Sequence, residues 1–171
     1  MNNFLLIDGY NVINAWPDLK EIGRKNLEDA RDVLIHKLVD YKHYTGYSVM
    51  IVFDAHYVKG NYGKNIFVKG IEVVFTKENQ TADSYIEKKV EELMKHRKNK
   101  VVVATSDWAE QQVVLGSGAI RISARELSIE LNRVIQKIYK KTSEPKQIRS
   151  ILQDRIDEKI VEKLERWRRN Q

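Results

Sequence analysis

The chain contains no cysteine, which excludes disulfides, thiolate metal sites and cysteine nucleophiles. It has two prolines and eight glycines in 171 residues, with no low-complexity tract and no internal repeat. No apolar run approaches membrane-spanning length. The first residues lack the basic flank and long apolar stretch of a signal peptide, so the expected location is the cytoplasm. Several catalytic signatures are also missing. There is no Gly-x-x-x-x-Gly-Lys-Ser/Thr phosphate loop, no Gly-x-Gly-x-x-Gly fingerprint and no Gly-x-Ser-x-Gly elbow. His36, His43, His56 and His96 are scattered without zinc-ligand spacing, and only His56, close behind Asp54, suggests a place near a substrate.

Charge of one sign is scarce only locally. Residues 1–132 carry 18 Lys and Arg against 18 Asp and Glu, whereas residues 133–171 carry 12 against 6 and supply the whole net charge of +6. Localised basicity suggests a polyanionic partner such as nucleic acid, although a solvated helix face has the same composition. At 42% hydrophobic and 32% charged residues, the chain is long enough for one domain with a respectable core, with or without an appendage.

Short apolar runs at 4–7, 49–53, 71–75 and 101–104 read as strands, with a shorter one at 119–122. Between them lie helical patterns. One spans 26–45, with Ala30, Val33, Leu34, Leu38 and Tyr41 at spacings of three and four and Gly46 as its stop. Another follows Asn79 or Thr81 as the cap, and a third follows Ser106 and ends at Gly116 to Gly118. Ser123-Ala124-Arg125-Glu126 matches a capping box. Residues 12–16 make one helical turn that Pro17 ends, and 55–70 is a long basic and aromatic loop. Strands alternating with helices, apolar on both faces, indicate a three-layer α/β fold with a mainly parallel sheet. The break at 142–145 divides residues 1–142, the α/β domain, from 143–171, a basic amphipathic helix that packs on it.

Four aspartates stand at the strand-to-helix junctions: Asp8, Asp54, Asp83 and Asp107. In a parallel sheet the carboxyl ends of the strands share one edge, where ligands bind. Like charges gathered there call for a counter-charge. One or two Mg²⁺ or Mn²⁺ ions, which take oxygen ligands and retain waters, would supply it. Asp8, Asp83 and Asp107 are the expected metal ligands, and Asp54 orients a water or holds the neighbouring loop. Glu78 and Asn79 are within reach of an outer shell, and Asn11 and Ser106 offer neutral hydrogen bonds. Any one such aspartate is more often a helix cap or turn residue; the full set reverses that balance.

The 55–70 loop interleaves Lys59, Lys64 and Lys69 with Tyr57, Tyr62 and Phe67. Cations that hold phosphates, beside rings that stack on bases, suit single-stranded nucleic acid; a plain surface loop is the alternative. The terminal helix carries one apolar stripe and an opposite face including Arg149, Arg155, Arg168 and Arg169, which can engage RNA phosphates.

Taken in order, Asp8-Gly9-Tyr10-Asn11, Val52-Phe53-Asp54-Ala55-His56, the block from Phe75 through Asn79 to Asp83, and Ala104-Thr105-Ser106-Asp107 resemble the YacP-like branch of the NYN domains. That branch lies in the PIN-like nuclease superfamily, and the likeness continues through 118–127 to Trp167-Arg168-Arg169. The resemblance implies a PIN-like Rossmannoid fold and a metal-dependent endoribonuclease. Its acidic centre would be Asp8, Asp83 and Asp107, with Asn11 and Asp54 nearby. It further implies cleavage of mRNA on translating ribosomes, with the enzyme in the A site. Two other readings stand beside it. One is an RNA- or ribosome-binding module whose acidic cluster does not catalyse. The other is a metal-dependent phosphatase or phosphotransferase, which the lack of Asp-x-Asp after the first strand disfavours.

Overall fold

The computed structural model describes residues 2–57, 60, 63–107 and 116–143. The chain divides into two compact units, Met1–Gln136 and Lys137–Gln171, and the architecture below is that of the first. Six strands form one sheet: β1 (Asn2–Asp8), β2 (Ser48–Phe53), β3 (Asn65–Val68), β4 (Ile71–Phe75), β5 (Asn99–Ala104) and β6 (Ile120–Ile122). Their order is β3-β4-β2-β1-β5-β6. Every neighbouring pair is parallel except β3 with β4. The three-layer, mainly parallel architecture expected from the alternating pattern is therefore present.

Period-two alternation gives the sheet two buried faces. Leu6, Val52, Val74 and Val103 pack with Ile86 and Val90 of α4 (Ala82–Met94). The alternate residues Leu5, Ile7, Ile51 and Val73, each 1% exposed or less, lie on the opposite face. There the sheet meets α1 (Gly9–Ala15) and α3 (Leu27–Thr45). The remaining described α-helices are α2 (Pro17–Lys25) and α5 (Ala124–Ser143), and a short 3-10 turn, Ala55–Tyr57, follows β2. The Tyr41 hydroxyl of α3 donates to Glu130 Oε1 of α5 at 2.7 Å. Among the described residues no helix is long and apolar enough to cross a membrane.

Local chemistry sets the boundaries. Asn26 Oδ1 accepts the Glu28 N–H at 2.9 Å and caps α3, which Gly46 closes in the left-handed region at φ 73°. Thr81 caps α4, its hydroxyl accepting the Ser84 N–H at 3.2 Å. The capping box at α5 is formed in both directions. Ser123 Oγ accepts the Glu126 N–H at 3.1 Å and Glu126 Oε2 accepts the Ser123 N–H at 2.6 Å.

Two expectations are corrected. Pro17 does not merely end a turn; it occupies the first position of α2, where a missing N–H costs nothing. Trp16 thus caps α1 at its end and precedes α2. The 55–70 segment is not all loop, because residues 65–68 pair antiparallel with β4. The two-residue turn between them, Lys69-Gly70, has φ of 49° and 82°, as a hairpin turn of type I′ requires. The helix expected after Ser106 and the terminal helix at 147–169 lie outside the described residues.

Candidate active site

The parallel registers bring the ends of four strands level. Asp8 pairs with Val52, Ile7 with Ala104, and Phe53 with Phe75. The residues immediately beyond therefore share the carboxyl edge: Asp54 after β2, Thr76 after β4, and Thr105 to Asp107 after β5. Asp83 joins them from the first turn of α4.

Asp8 is the centre of this edge. Burial pushes its carboxyl up to about 6, and the charges of Asp83, Asp54 and Asp107 push in the same direction. An N–H from Asn11, at 3.1 Å from Asp8 Oδ1, opposes them and does not win. A cap role and a site role coincide in this aspartate: one oxygen caps α1, while the group feels the charges of three other carboxylates. Chain geometry makes the crowding possible. A Cβ at Gly9 would overlap the buried Phe53 ring, so only glycine lets α1 start directly behind the strand.

The other aspartates are held in different ways. Asp54 Oδ1 accepts the His56 N–H at 2.9 Å and contacts His56 Nδ1 at 2.7 Å, which ties it to the segment that follows β2. The next residue, Ala55, donates its N–H to the buried Thr76 hydroxyl at 2.9 Å. Asp107 is exposed, and its N–H donates to Thr105 Oγ1 at 3.1 Å.

Asn11 reaches across the edge. Its Oδ1 accepts the Ser106 N–H at 2.8 Å, so α1 fixes the turn that carries Asp107. The Oγ of Ser106, whose expected helix lies outside the described residues, accepts the Ala124 N–H at 3.1 Å. It thus serves the first turn of α5. Trp16 Nε1 donates to the Ala124 carbonyl at 2.7 Å from the other side. One hydrogen-bonded path accordingly runs from Asp8 through Asn11 and Ser106 to Ala124. The buried threonines 76 and 105 and the Trp16 indole were not legible as site supports. Their only sequence signal is a position one residue past a strand or beside a helix start.

The donor set is all oxygen and acidic, and its central carboxyl is raised first by burial and then by the charges of its neighbours, a chemistry that fits a hard divalent cation. Among the described residues no group of three or more acids and histidines is placed to hold a metal ion.

The candidate RNA contacts separate. Lys64 lies at the carboxyl edge, where its carbonyl accepts the Phe75 N–H at 2.8 Å. Lys69 is at the other end of the β3–β4 hairpin. Phe67 is 72% exposed on β3. Lys59, Tyr62, Arg149, Arg155, Arg168 and Arg169 lie outside the described residues.

The YacP-like NYN domain family matches residues 5–169. The uncharacterized protein YacP of Bacillus subtilis (strain 168) is 42% identical over 167 residues, 98% of this chain and 97% of that protein. The crystal structure of Rae1 (YacP) from Bacillus subtilis superposes with a TM-score of 0.73 at 42% identity, covering 97% of this chain and 94% of that one. A tryptophan-to-leucine mutant of the same protein gives a TM-score of 0.69 at 46% identity, covering 82% and 84%.

Proposed function

The chain belongs to the YacP-like NYN domain family, whose NYN domains are generally nucleases, and from that premise we propose that it is a metal-dependent endoribonuclease acting on mRNA. The observation that carries this reading is the Asp8 carboxyl, half-buried at the carboxyl edge and pushed up to about 6 by desolvation and by Asp83, Asp54 and Asp107. Asp8, Asp83 and Asp107 would hold Mg²⁺ or Mn²⁺, directly or through water. A bound divalent ion at such a centre makes water a usable nucleophile at neutral pH and offsets charge on the phosphoryl oxygens.

The protein's own residues do the positioning. Asp8 presents one oxygen to the edge while the other is engaged by α1. Asn11 holds the Ser106 turn, and with it the approach of Asp107. Asp54 orders the segment after β2 through His56, the start of the connection that leads to Lys64 and the exposed Phe67. Lys64 and the basic residues beyond 136 would hold phosphates, and Phe67 offers a ring on which a base can stack.

The substrate is mRNA and the partner is the translating ribosome, in whose A site the enzyme would act. Support for this comes from the family resemblance and from the concentration of positive charge in residues 133–171. Mapping mRNA 5′ ends in cells with the wild type and with Asp83→Asn, on translated and untranslated versions of one transcript, tests it. New 5′ ends should appear only with the wild type and only on the translated form. In vitro, Asp83→Asn should lower Mn²⁺-dependent cleavage at least about 100-fold, since even outer-shell changes at metal sites cost 10- to 100-fold. Undiminished cleavage by this variant overturns the assignment. Ribosome binding without new ends in the wild type would favour a non-catalytic module.

A further inference from the structure

A charge of opposite sign stands at the same edge. Arg31 lies in the second turn of α3, which runs back from the carboxyl edge to the start of β2. Its guanidinium carbon sits 6.0 Å from the Phe53 ring centroid and 5.8 Å from that of Phe75. Those two rings stack on each other and immediately precede Asp54 and Thr76. Arg31 Nη1 donates to the Tyr10 hydroxyl at 3.0 Å, and Tyr10 is two residues beyond Asp8. Three segments of the site therefore converge on this one cation.

Its partners are unusual for a half-buried arginine. None of the ion pairs among the described residues includes it. The nearest acids on its own helix, Glu28, Asp29 and Asp32, are exposed. A guanidinium has five N–H donors in a rigid fork, and a tyrosine hydroxyl engages one end of it here. The Tyr10 hydroxyl and the two rings within about 6 Å hold the guanidinium at this spot, which leaves other donors of the fork for a ligand. That arrangement matches a phosphodiester, whose paired oxygens accept a fork.

Position selects the same ligand. From Asp8 on β1, the edge passes Asp54 after β2 and reaches Phe75 at the end of β4, roughly 10 Å away at ordinary strand spacing. Lys64 lies beside Phe75, and Lys77 and Glu78 follow Thr76. The edge thus changes from acidic at β1 to mainly basic at β4. A polyanion that delivers one phosphate to the carboxylates would meet cations a short distance further along.

We propose that Arg31 is a phosphate-binding residue that grips the RNA backbone beside the scissile bond, held in place by Phe53, Phe75 and Tyr10. This rests on the nuclease reading above. The test is the binding of a fluorescent, unstructured RNA oligonucleotide across a range of salt, in the Asp83→Asn background, with thermal melts of every variant. Arg31→Met keeps the packing and removes the charge. It should weaken binding about tenfold and flatten the dependence of log affinity on log salt by about 0.7, the share of one single-strand phosphate contact. Should Arg31→Met melt early, Arg31→Gln carries the same test, because its planar amide can still cover the rings. A role confined to covering those rings would shift the melt and leave the salt slope untouched, which overturns the proposal. If the wild type neither binds RNA nor cleaves it with Mn²⁺, the nuclease reading falls, and this inference with it. If the wild type does both and the Arg31 variants match it, the Arg31 assignment alone falls.

Discussion

Leu5, Leu6 and Ile7 in the body of β1 are each 1% exposed or less, packed between helices on both faces of the sheet, whereas the carboxyl of Asp8, the next residue, is raised by burial and by the charges of Asp83, Asp54 and Asp107. One step along the strand separates a region where every side chain satisfies its surroundings from one where like charges are crowded. The body is built for stability. The edge is arranged at a cost to stability, which is a common mark of a site that acts on something else. Substitutions on the two sides of that step should therefore have opposite signs.

The largest effect belongs to the body. Leu5→Ala removes a fully buried side chain and should cost about 2–5 kcal/mol, as such truncations do where the cavity cannot collapse. Chemical denaturation measures this, and the response of the melt to Mn²⁺ should survive at temperatures where the variant is folded. Loss of that response in a folded Leu5→Ala protein would mean that body and edge are coupled.

At the edge the sign reverses. Asp8 has a folded-state value of about 6 against an ordinary value of 3.8, so the folded state binds its proton more tightly. The stability linked to this proton is complete below about 4 and is lost as pH rises through about 6. Over that window the metal-free protein should lose up to about 3 kcal/mol through this group. Asp8→Asn removes the loss. At about pH 7.5 without metal the variant should be about 1–3 kcal/mol more stable than the wild type, with cleavage abolished. Mn²⁺ should raise the melting temperature of the wild type above about pH 6 and have little effect near pH 5, because the ion competes with the proton. An Asp8→Asn protein that is less stable than the wild type at neutral pH would remove the contrast.

A smaller effect probes the link between the two regions. Trp16→Phe leaves the Ala124 carbonyl without the indole donor it meets at 2.7 Å. The expected cost is about 1–2 kcal/mol for a buried hydrogen bond with one partner removed. Because Ala124 also binds Ser106, whose N–H is held by Asn11, the variant should lower cleavage as well as stability. Loss of stability with full cleavage would show that the path from α1 to α5 does not reach the carboxylates.

Body and edge also differed in how well they could be read from residues alone. The five parallel strands, α3 with its Asn26 and Gly46 caps, and the capping box at Ser123 follow from local pattern, because apolar runs and caps act within a few residues of themselves. So does the placing of Asp8, Asp54 and Asp107 at one edge, since strand ends in a parallel sheet have one place to go, whereas Asp83 comes from the first turn of α4. β3 has no local signal: its four residues carry three exposed side chains, so no alternation marks it, and it exists through pairing with β4. α2 is hidden because Pro17 reads as a stop, although it serves equally well as a first helical residue. Ser106 capping a helix 18 residues later, and Arg31 lying on two rings from separate strands, depend on contacts distant in sequence. No local pattern encodes them.

The smallest effect separates the carboxyl edge from the opposite end of the sheet. Lys69 adopts φ 49° in the turn before β4, a region that residues other than glycine and asparagine enter at a cost. Lys69→Asn suits the type I′ turn better and should stabilise the protein by about 0.5 kcal/mol, seen as a small rise in the denaturation midpoint. Lys64 and Lys69 were candidates for the same task, but five residues of extended chain, about 16 Å, now lie between them. Lys64→Asn should weaken RNA binding and leave stability nearly unchanged, the reverse of Lys69→Asn. Should Lys69→Asn weaken RNA binding as much as Lys64→Asn does, the substrate path must extend along β3 to the far end of the sheet. The carboxyl edge would then be where the RNA is cut, without being the only place where it is held.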